Sequence, residues 1–450
     1  MIRVAFDEPS ERARWALDVL LGLLGMPWRE VPPHSEAELV YGAARTGARC
    51  AIHAGPQTPW DDPQPSLTHG DMPIVHLRSV EKLHVQTEPS TVTFDLVYAT
   101  YACLTAPWEQ VDPVDEVGCP LAGSSWLARY GVLERPLVHE YATRLGGALE
   151  AGGIPLTSPR RPSIVLTHDV DSNFAHLFAR RESRELLRRD LSAGGIAATR
   201  RFAGLVRRSL NSRQQDKNDR WDDWLALTAA SGGRPCFFVA SYGLFDPKSA
   251  RHDPPYDARH PEVRATLRHL VAAGAEIGVH FSLQAQTSPS QVLAECERLA
   301  EILGAPVRSA RHHWWAVGRP AERVLEWHAK AGIEVDCSLG YNDAPGFRRG
   351  IAAPFRPFDR RTGRPLPIWE LPTIAMDLAV YDGRRSSAEA DMMLRRIFTT
   401  TAAVGGSFVM DWHAHALNPV RLHGAGQGLR ELLNGAARDV PLRTPLDVVA

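Results

Sequence analysis

The run IVLTHDVD, residues 164–171, holds residue types that could do chemistry. Its apolar start is typical of a short buried strand, and Asp169 and Asp171 follow at the end of that strand, beside His168. Two carboxylates and an imidazole are costly to bury unless a cation or a reaction uses them. We therefore expect Asp169 and Asp171 to bind a metal ion or to take part in catalysis. The alternative is a turn in which they cap the next helix.

Further polar residues follow the other strand-like runs of the chain. They are His280, Arg311, His312, His313, Asp336, Glu370, Asp377, Asp411, His413 and His415. Aspartate and histidine are the ligands that a catalytic zinc or a similar divalent ion requires. Such a site keeps one position open for water, whose pKa the metal lowers toward ~7. A nearby carboxylate can take the proton, and an imidazole can protonate a leaving group.

The elements that would bring these residues together are seven strand-like runs separated by helical patterns. They are Ile164–Leu166, Cys236–Ala240, Glu276–His280, Val307–Ala310, Ile333–Cys337, Ile368–Leu371 and Ser407–Asp411. Strands that alternate with helices predict a parallel sheet or barrel of βα units, in which the loops after the strands meet on one face.

The first part of the chain predicts a smaller α/β domain. Ile2–Phe6, Cys50–His53 and Pro73–Leu77 are typical of strands, whereas residues 94–104 fit a strand or a helix. Residues 151–162, AGGIPLTSPRRP, are rich in glycine and proline and predict a linker. We thus expect an N-terminal domain of unknown role over residues 1–150, followed by the barrel over residues 163–450.

Composition excludes several classes of protein. A formal charge of −1 over 450 residues gives no general attraction to nucleic acid or to anionic membranes. The six cysteines are scattered without a CxxC pair, which argues against a thiolate zinc cage or a disulfide framework. The N-terminus shows no secretion signal, and the apolar stretch 16–26 is too short to span a bilayer. We expect a cytoplasmic protein with a small-molecule or carbohydrate substrate; its oligomeric state is open.

An arginine-rich insertion covers residues 179–213. It fits a pair of solvated surface helices. It also fits a basic lid over an anionic substrate, or a surface patch that touches a membrane or a polyanion.

Five motifs resemble those of the polysaccharide deacetylases, carbohydrate esterase family 4. In chain order they are THDVD, RPCFFVAS, EIGVHFS, RHHWW and FVMDWHAH, which extend the resemblance over residues 163 to about 418. Three other segments resemble a poorly characterised bacterial subgroup with an extra N-terminal domain: GVLERPLVHEYATRLGGAL, DCSLGYNDAPGFRRGIAAPFRPFD and WELPTIAMD. The resemblance implies a deformed (β/α) barrel with about seven parallel strands, preceded by a smaller α/β domain. It also implies a divalent metal ion, with zinc the first candidate.

The resemblance implies a role for each matching residue. Asp169 would be the catalytic base and His413 the acid, while Asp171 and His280 would bind the metal. Arg311 would orient the base or bind substrate. Trp315 and Trp412 are candidates for stacking on a sugar ring. Asp411 is expected to hold His413 in one tautomer.

The chain departs from the family at one metal position. Four residues after His280, where the family has a second histidine, this chain has Gln284, a poor zinc ligand. His313 is the favoured replacement because it shares a strand face with Arg311. His312 and His176 are the alternatives.

These observations favour a metal-dependent hydrolase that removes an acyl group, acetyl in the first instance, from an amino sugar or related amide. One alternative is a catalytically inactive deacetylase-like protein with a binding or regulatory role, which the glutamine at position 284 favours. Another is a cytosolic amidase with a non-carbohydrate substrate. The His413-His415 pair resembles an amidohydrolase metal motif, but that motif closes the first strand of its barrel and this pair follows the last predicted strand.

Overall fold

The computed structural model describes most of the chain. For residues 64–69 and 72–76 it describes the backbone alone, and the full description covers residues 1–33, 35–43, 47–54, 89–156, 160–174, 177, 218–241, 253–254, 256–419 and 422–450. The arginine-rich insertion and His176 lie outside these ranges.

The N-terminal part contains a sheet of five parallel strands in the order β2-β1-β3-β4-β7. The strands of this sheet are β1 Ile2–Phe6, β2 Trp28–Glu30, β3 Leu39–Tyr41, β4 Cys50–Ile52 and β7 Thr91–Val92. Two further strands, β5 Gln64–His69 and β6 Met72–His76, form a separate antiparallel hairpin. The strand predicted at Ile2–Phe6 is confirmed, and those predicted at Cys50–His53 and Pro73–Leu77 overlap β4 and β6. The ambiguous segment after Phe94 is a helix, because Asp95 caps it by accepting a hydrogen bond from the Tyr98 backbone N–H.

The helices of this part are α1 Glu11–Leu23, α2 Leu96–Thr105, α3 Trp126–Arg129 and α4 Leu137–Ala151. They share one apolar core with a loop of the second part, including Ile351, Phe355 and Phe358. A buried ion pair crosses the same contact, where Glu109 accepts hydrogen bonds of 3.0 and 3.1 Å from Arg348. Residues 1–150 therefore pack directly against the loops that follow the barrel strands.

The second part is a curled parallel sheet, and all seven predicted strands are confirmed within it. Its strand order is β15-β12-β11-β10-β9-β8-β17-β16, with β18 paired to the first half of β8. The strands are β8 Ser163–Val170, β9 Cys236–Val239, β10 Glu276–Phe281, β11 Ser309–His312, β12 Val335–Asp336, β15 Trp369–Glu370, β16 Ala375–Met376, β17 Ser407–Asp411 and β18 Leu442–Arg443; β13 Phe358–Asp359 and β14 Arg364–Pro365 form a separate hairpin.

The sheet curls into a deformed barrel because its two edges are consecutive strands. β15 and β16 lie at opposite edges, yet only the four residues 371–374 separate them along the chain. The backbone N–H of Leu371 bonds to Asp336 on one side, and that of Ile374 bonds to Val409 on the other. This short crossing closes the barrel, and the predicted fold class is confirmed.

Helices cover the outside of the barrel and an apolar layer fills its inside. The helices are α5 Trp221–Ala230, α6 Pro261–Ala272, α7 Pro289–Leu303, α8 Ala321–Lys330, α9 Asp377–Val380, α10 Ser387–Ala403, α11 Ala425–Asn434 and α12 Pro445–Val449. The inner layer consists of Val165, Cys236, Phe238, Val335, Cys337, Leu371 and Val409, and side chains of α12 pack against it. Among the described helices, none combines the length and apolar character that a bilayer crossing needs.

Candidate metal centre and catalytic cleft

Strand periodicity directs the candidate residues to the inside of the barrel. Side chains alternate between the two faces of a strand, so Asp169 and Asp171 share the face of the inner-layer residue Val165. By the same rule Asp411 and His413 share the face of Val409. These side chains therefore lie above the apolar layer, at the carboxyl ends of the strands.

Asp171, His280 and His313 form a group that could hold a metal ion. Each offers one ligand atom, and the three atoms all lie within 4.8 Å of one another. His280 Nε2 lies 2.9 Å from His313 Nδ1 and 3.3 Å from Asp171 Oδ1. The other ring nitrogen of His280 contacts the Arg311 carbonyl oxygen at 3.2 Å, which fixes the ring's orientation.

The donor set fits a divalent cation. Asp171 Oδ1 is shielded from solvent and makes no hydrogen bond of good geometry, although both imidazoles approach it. Two imidazole nitrogens and one carboxylate oxygen converging on one point are typical ligands for zinc. These three residues would be the ones to hold the ion. A second group, Asp169, Asp411 and His413, also has its ligand atoms within 4.8 Å.

Asp169 is held by the guanidinium of Arg311. Arg311 is fully buried and donates a 2.9 Å hydrogen bond to Asp169 Oδ1. The same side chain donates to the Cys337 carbonyl at 3.1 Å and to Thr373 Oγ1 at 2.9 Å. Burial opposes ionisation of Asp169, but His280 and Arg311 outweigh it and lower the pKa of this carboxyl below its ordinary value. Asp169 is therefore an ionised carboxylate beside the metal group.

Asp377 holds His413, a role that the sequence had assigned to Asp411. His413 donates its backbone N–H to Asp377 Oδ2 at 2.8 Å, and its Nδ1 lies 2.7 Å from Oδ1 of the same residue. Asp411 instead accepts a hydrogen bond from the Asp169 backbone N–H at 3.2 Å and lies 3.4 Å from Arg311. Asp377 follows β16, which pairs with β17, the strand that precedes His413. Sequence reasoning placed Asp377 near a strand end but did not match it to His413, because the two-residue strand β16 was not predicted.

The electrostatics of the centre favour charged imidazoles. Burial opposes the charge on His280, but Asp169 and Asp171 outweigh it and raise its pKa to about 9. For His413, burial is likewise outweighed, here by Asp377 and Asp411, and its pKa is well above the ordinary range. His413 Nε2 points toward Asp171, with its nearest carboxylate oxygen at 3.4 Å. His413 is thus a protonated imidazole at the edge of the metal group.

Of the two alternatives for the third ligand, His176 is outside the described residues and His312 lies away from the metal group. His312 is on the outward face of its strand, where its Nε2 lies 3.0 Å from His328 Nε2. Gln284 is solvent-exposed in a short 3₁₀ turn after β10. His313 is the candidate that the structure places beside His280, and its role as a ligand stays a prediction.

The predicted stacking role of Trp315 and Trp412 is wrong, because both side chains are buried. Trp412 is completely buried on the outward face of β17 and donates a 3.1 Å hydrogen bond to the Ala425 carbonyl of α11. Trp315 is 2% exposed and packs with Met376 and Ala379. Neither indole offers a face to a substrate.

A cleft of about 310 Å³ opens above the centre. Asp171, His313 and His413 line its floor, and its other lining residues are Ser172, Asp253, Pro254, Trp314, Leu378, His415 and Leu422. Trp314 is 40% exposed and Leu378 is 45% exposed, so the rim offers an aromatic and an aliphatic surface. Sequence reasoning missed Trp314, although strand alternation could have indicated that the indole next to His313 points differently from Trp315.

Comparisons with known proteins find similarity among solved structures. No family model matches the chain, and no curated protein matches it. A Mycobacterium smegmatis protein assigned to the polysaccharide deacetylases matches with a TM-score of 0.40 and 17% identity, over 66% of this chain and 91% of that one. Puue allantoinase matches with a TM-score of 0.38 and 16% identity, over 64% and 89%.

The chitin deacetylase of the fungus Colletotrichum lindemuthianum matches with a TM-score of 0.33 and 13% identity, over 63% of this chain and 86% of that one. Polysaccharide deacetylases are the class that the five sequence motifs resemble. The barrel fold is defined by the strand order of the sheet.

Proposed function

We propose that this protein is a metal-dependent hydrolase that removes an acetyl group from an amino sugar, with zinc as the metal. One observation carries the proposal: the convergence of Asp171, His280 and His313 between an ionised carboxylate, Asp169, and an imidazolium, His413. A base and an acid on either side of a ligand group is the arrangement that amide hydrolysis requires. The cytoplasmic location and the division at residues 151–162 are further parts of the proposal.

Asp171, His280 and His313 would hold the metal. When bound, a divalent ion supplies a Lewis acid and lowers the pKa of water. Asp169 is then the base that accepts the proton of the attacking water. Its hydrogen bond to Arg311 holds one carboxylate oxygen, so that the other, which lies 3.7 Å from His280 Nε2, faces the metal group.

His413 is the acid for the departing nitrogen. Because Asp377 holds Nδ1 at 2.7 Å, the proton to be donated is the one on Nε2, which lies 3.4 Å from Asp171, another residue that lines the cleft. The water oxygen bonds to the acetyl carbon as Asp169 takes a proton from it, and the C–N bond breaks as His413 protonates the nitrogen, so that the products are the free amine and acetate. The two proton transfers thus occur on different residues at the two sides of the metal group.

The cleft suits a single sugar unit. Its volume of about 310 Å³ is at the lower end of the range for small-molecule sites. The exposed faces of Trp314 and Leu378 could contact the apolar side of a pyranose ring, while Asp253 and His415 could contact hydroxyl groups.

Elemental analysis of the purified protein beside its His280→Ala variant tests the proposal. We expect close to one metal ion per chain in the wild type and its loss in the variant. Release of acetate from N-acetylglucosamine by the metal-loaded wild type would then establish the reaction. A wild type that holds no zinc, even after zinc is added and the excess removed, would contradict the proposal.

A further inference from the structure

Hydrogen bonds link the turn that carries Trp314, a residue lining the cleft, to the N-terminal part of the chain. Trp314 lies in a turn after β11 and has φ 57° and ψ 14°. Left-handed backbone is disfavoured for a bulky residue, and it persists where surrounding contacts hold it. The contacts around this turn therefore determine where the indole that lines the cleft is placed.

Asn342 holds the turn and is itself held from the N-terminal part. Its side-chain amide donates a 2.7 Å hydrogen bond to the Trp314 carbonyl and a 3.1 Å hydrogen bond to Asp115 Oδ2. Asp115 is fixed by its own turn, since its other oxygen accepts the backbone N–H groups of Val117 at 3.0 Å and Cys119 at 2.8 Å. Trp314 is thus linked through one amide to a preformed turn.

Further hydrogen bonds join the N-terminal part to residues close to Trp314 and Asn342. Arg319, five residues after Trp314, donates to the carbonyl oxygens of Glu109 at 3.1 Å and Asp112 at 2.9 Å. Asp343, next to Asn342, accepts the backbone N–H of Ala122 at 3.0 Å. The segments around Trp314 and Asn342 therefore both form hydrogen bonds with residues 107–125.

We propose that residues 107–125 are a template that fixes Trp314 as a wall of the cleft, so that the N-terminal part takes part in substrate selection. The substrate feature that such a wall recognises is a flat apolar face, the C–H side of an N-acetylated pyranose. The identity of this substrate rests on the proposed function; the placement of Trp314 by the template does not.

Fluorine NMR of protein labelled with 5-fluorotryptophan tests the template directly. Of the twelve tryptophans, Trp314 is identified by the resonance that Trp314→Phe removes. We expect Asn342→Ala and Asp115→Ala to shift or broaden this resonance, and Asn434→Ala, at the exposed end of α11, to leave it unchanged. An unaltered Trp314 resonance in folded Asn342→Ala and Asp115→Ala proteins would overturn the template.

Kinetics test the selective role. In the zinc-loaded protein, Asn342→Ala should raise the KM for N-acetylglucosamine about fivefold, as loss of one hydrogen bond would, with kcat changed less than twofold. An unchanged KM in an active variant would refute selection by this wall. If the Trp314 resonance responds to Asn342→Ala while the wild type hydrolyses no N-acetylated sugar, the template stands and the proposed function fails.

Discussion

The Nε2 atoms of His312 and His328 lie 3.0 Å apart inside the protein, and the two rings stack with their centroids 4.9 Å apart. His328 in turn places its Nδ1 2.9 Å from Asp336 Oδ2. All three side chains are completely buried. The chain Asp336-His328-His312 therefore anchors the end of β11, directly before the candidate ligand His313.

Removal of His328 should destabilise the protein strongly. His328→Ala removes the imidazole that contacts the buried Asp336 carboxylate and leaves a cavity beside His312. A hydrogen bond to a charged group contributes about 1.5–3 kcal/mol, and the lost packing adds to this. We expect a decrease of about 3 kcal/mol in the free energy of unfolding, measured by urea denaturation. His269→Ala is the matched control, because its pair with Asp222 is exposed and should contribute less than about 1 kcal/mol. Equal effects of the two substitutions would contradict the anchoring role.

The two aspartates of the first barrel strand should separate metal binding from catalysis. Asp169→Asn should keep the metal and lose activity by a factor of about 10²–10⁴, since the amide cannot accept the water's proton. Asp171→Asn should lose the metal itself. Metal content by elemental analysis, measured beside acetate release, distinguishes them. A metal-free Asp169→Asn protein would show that the two roles are exchanged.

Asp377 should control the pH range over which His413 is an acid. Asp377 contributes, with Asp411 and Asp171, to raising the pKa of His413 against the effect of burial. Asp377→Asn removes one negative charge, so the His413 pKa should fall and the imidazole should lose its proton at lower pH. The alkaline limb of the kcat/KM profile is then expected to move to lower pH. Asp391→Asn, whose side chain bonds to Tyr381 away from the centre, is the control. A limb that stays in place in Asp377→Asn would argue against His413 as the acid.

Metal affinity should rise with pH in the neutral range. The pKa of His280 is raised to about 9, so in the metal-free protein this imidazole is protonated at pH 7 and must release its proton to bind a metal. Below pH 9 the apparent association constant is expected to increase about tenfold per pH unit for this one proton, and above pH 9 to level off. Calorimetric titration with zinc in buffers of different ionisation enthalpy measures the proton released. Binding that is independent of pH between 7 and 9 would refute this linkage.

The sequence predicted the barrel strands because they lie in short runs, most of them largely apolar, that recur between helical patterns. It missed the two-residue strands β16 and β18, although it predicted β12 and β15, which are equally short, from the longer runs that contain them. Strand alternation placed His313 on the face of Arg311, and the structure brings it to His280. The same alternation puts Trp412 on the outward face with Met410, where a helix buries it. Asp377 was not matched to His413, because the contact depends on the pairing of β17 with β16, a strand that the sequence did not predict.

Two of the three strands that pair with the first barrel strand, β8, come late in the sequence. One of its partners, β17, lies 244 residues further along the chain in the register pair of Ser163 with Ser407, and β18 comes later still. During synthesis, β8 and its aspartates leave the ribosome long before either partner exists. We expect this open strand edge to be the part of the nascent chain that most needs protection by chaperones, since unpaired edges associate with other chains. The candidate residues Asp169 and Asp171 thus lie at the end of a strand whose surroundings include β17 and β18, two strands that come much later in the sequence.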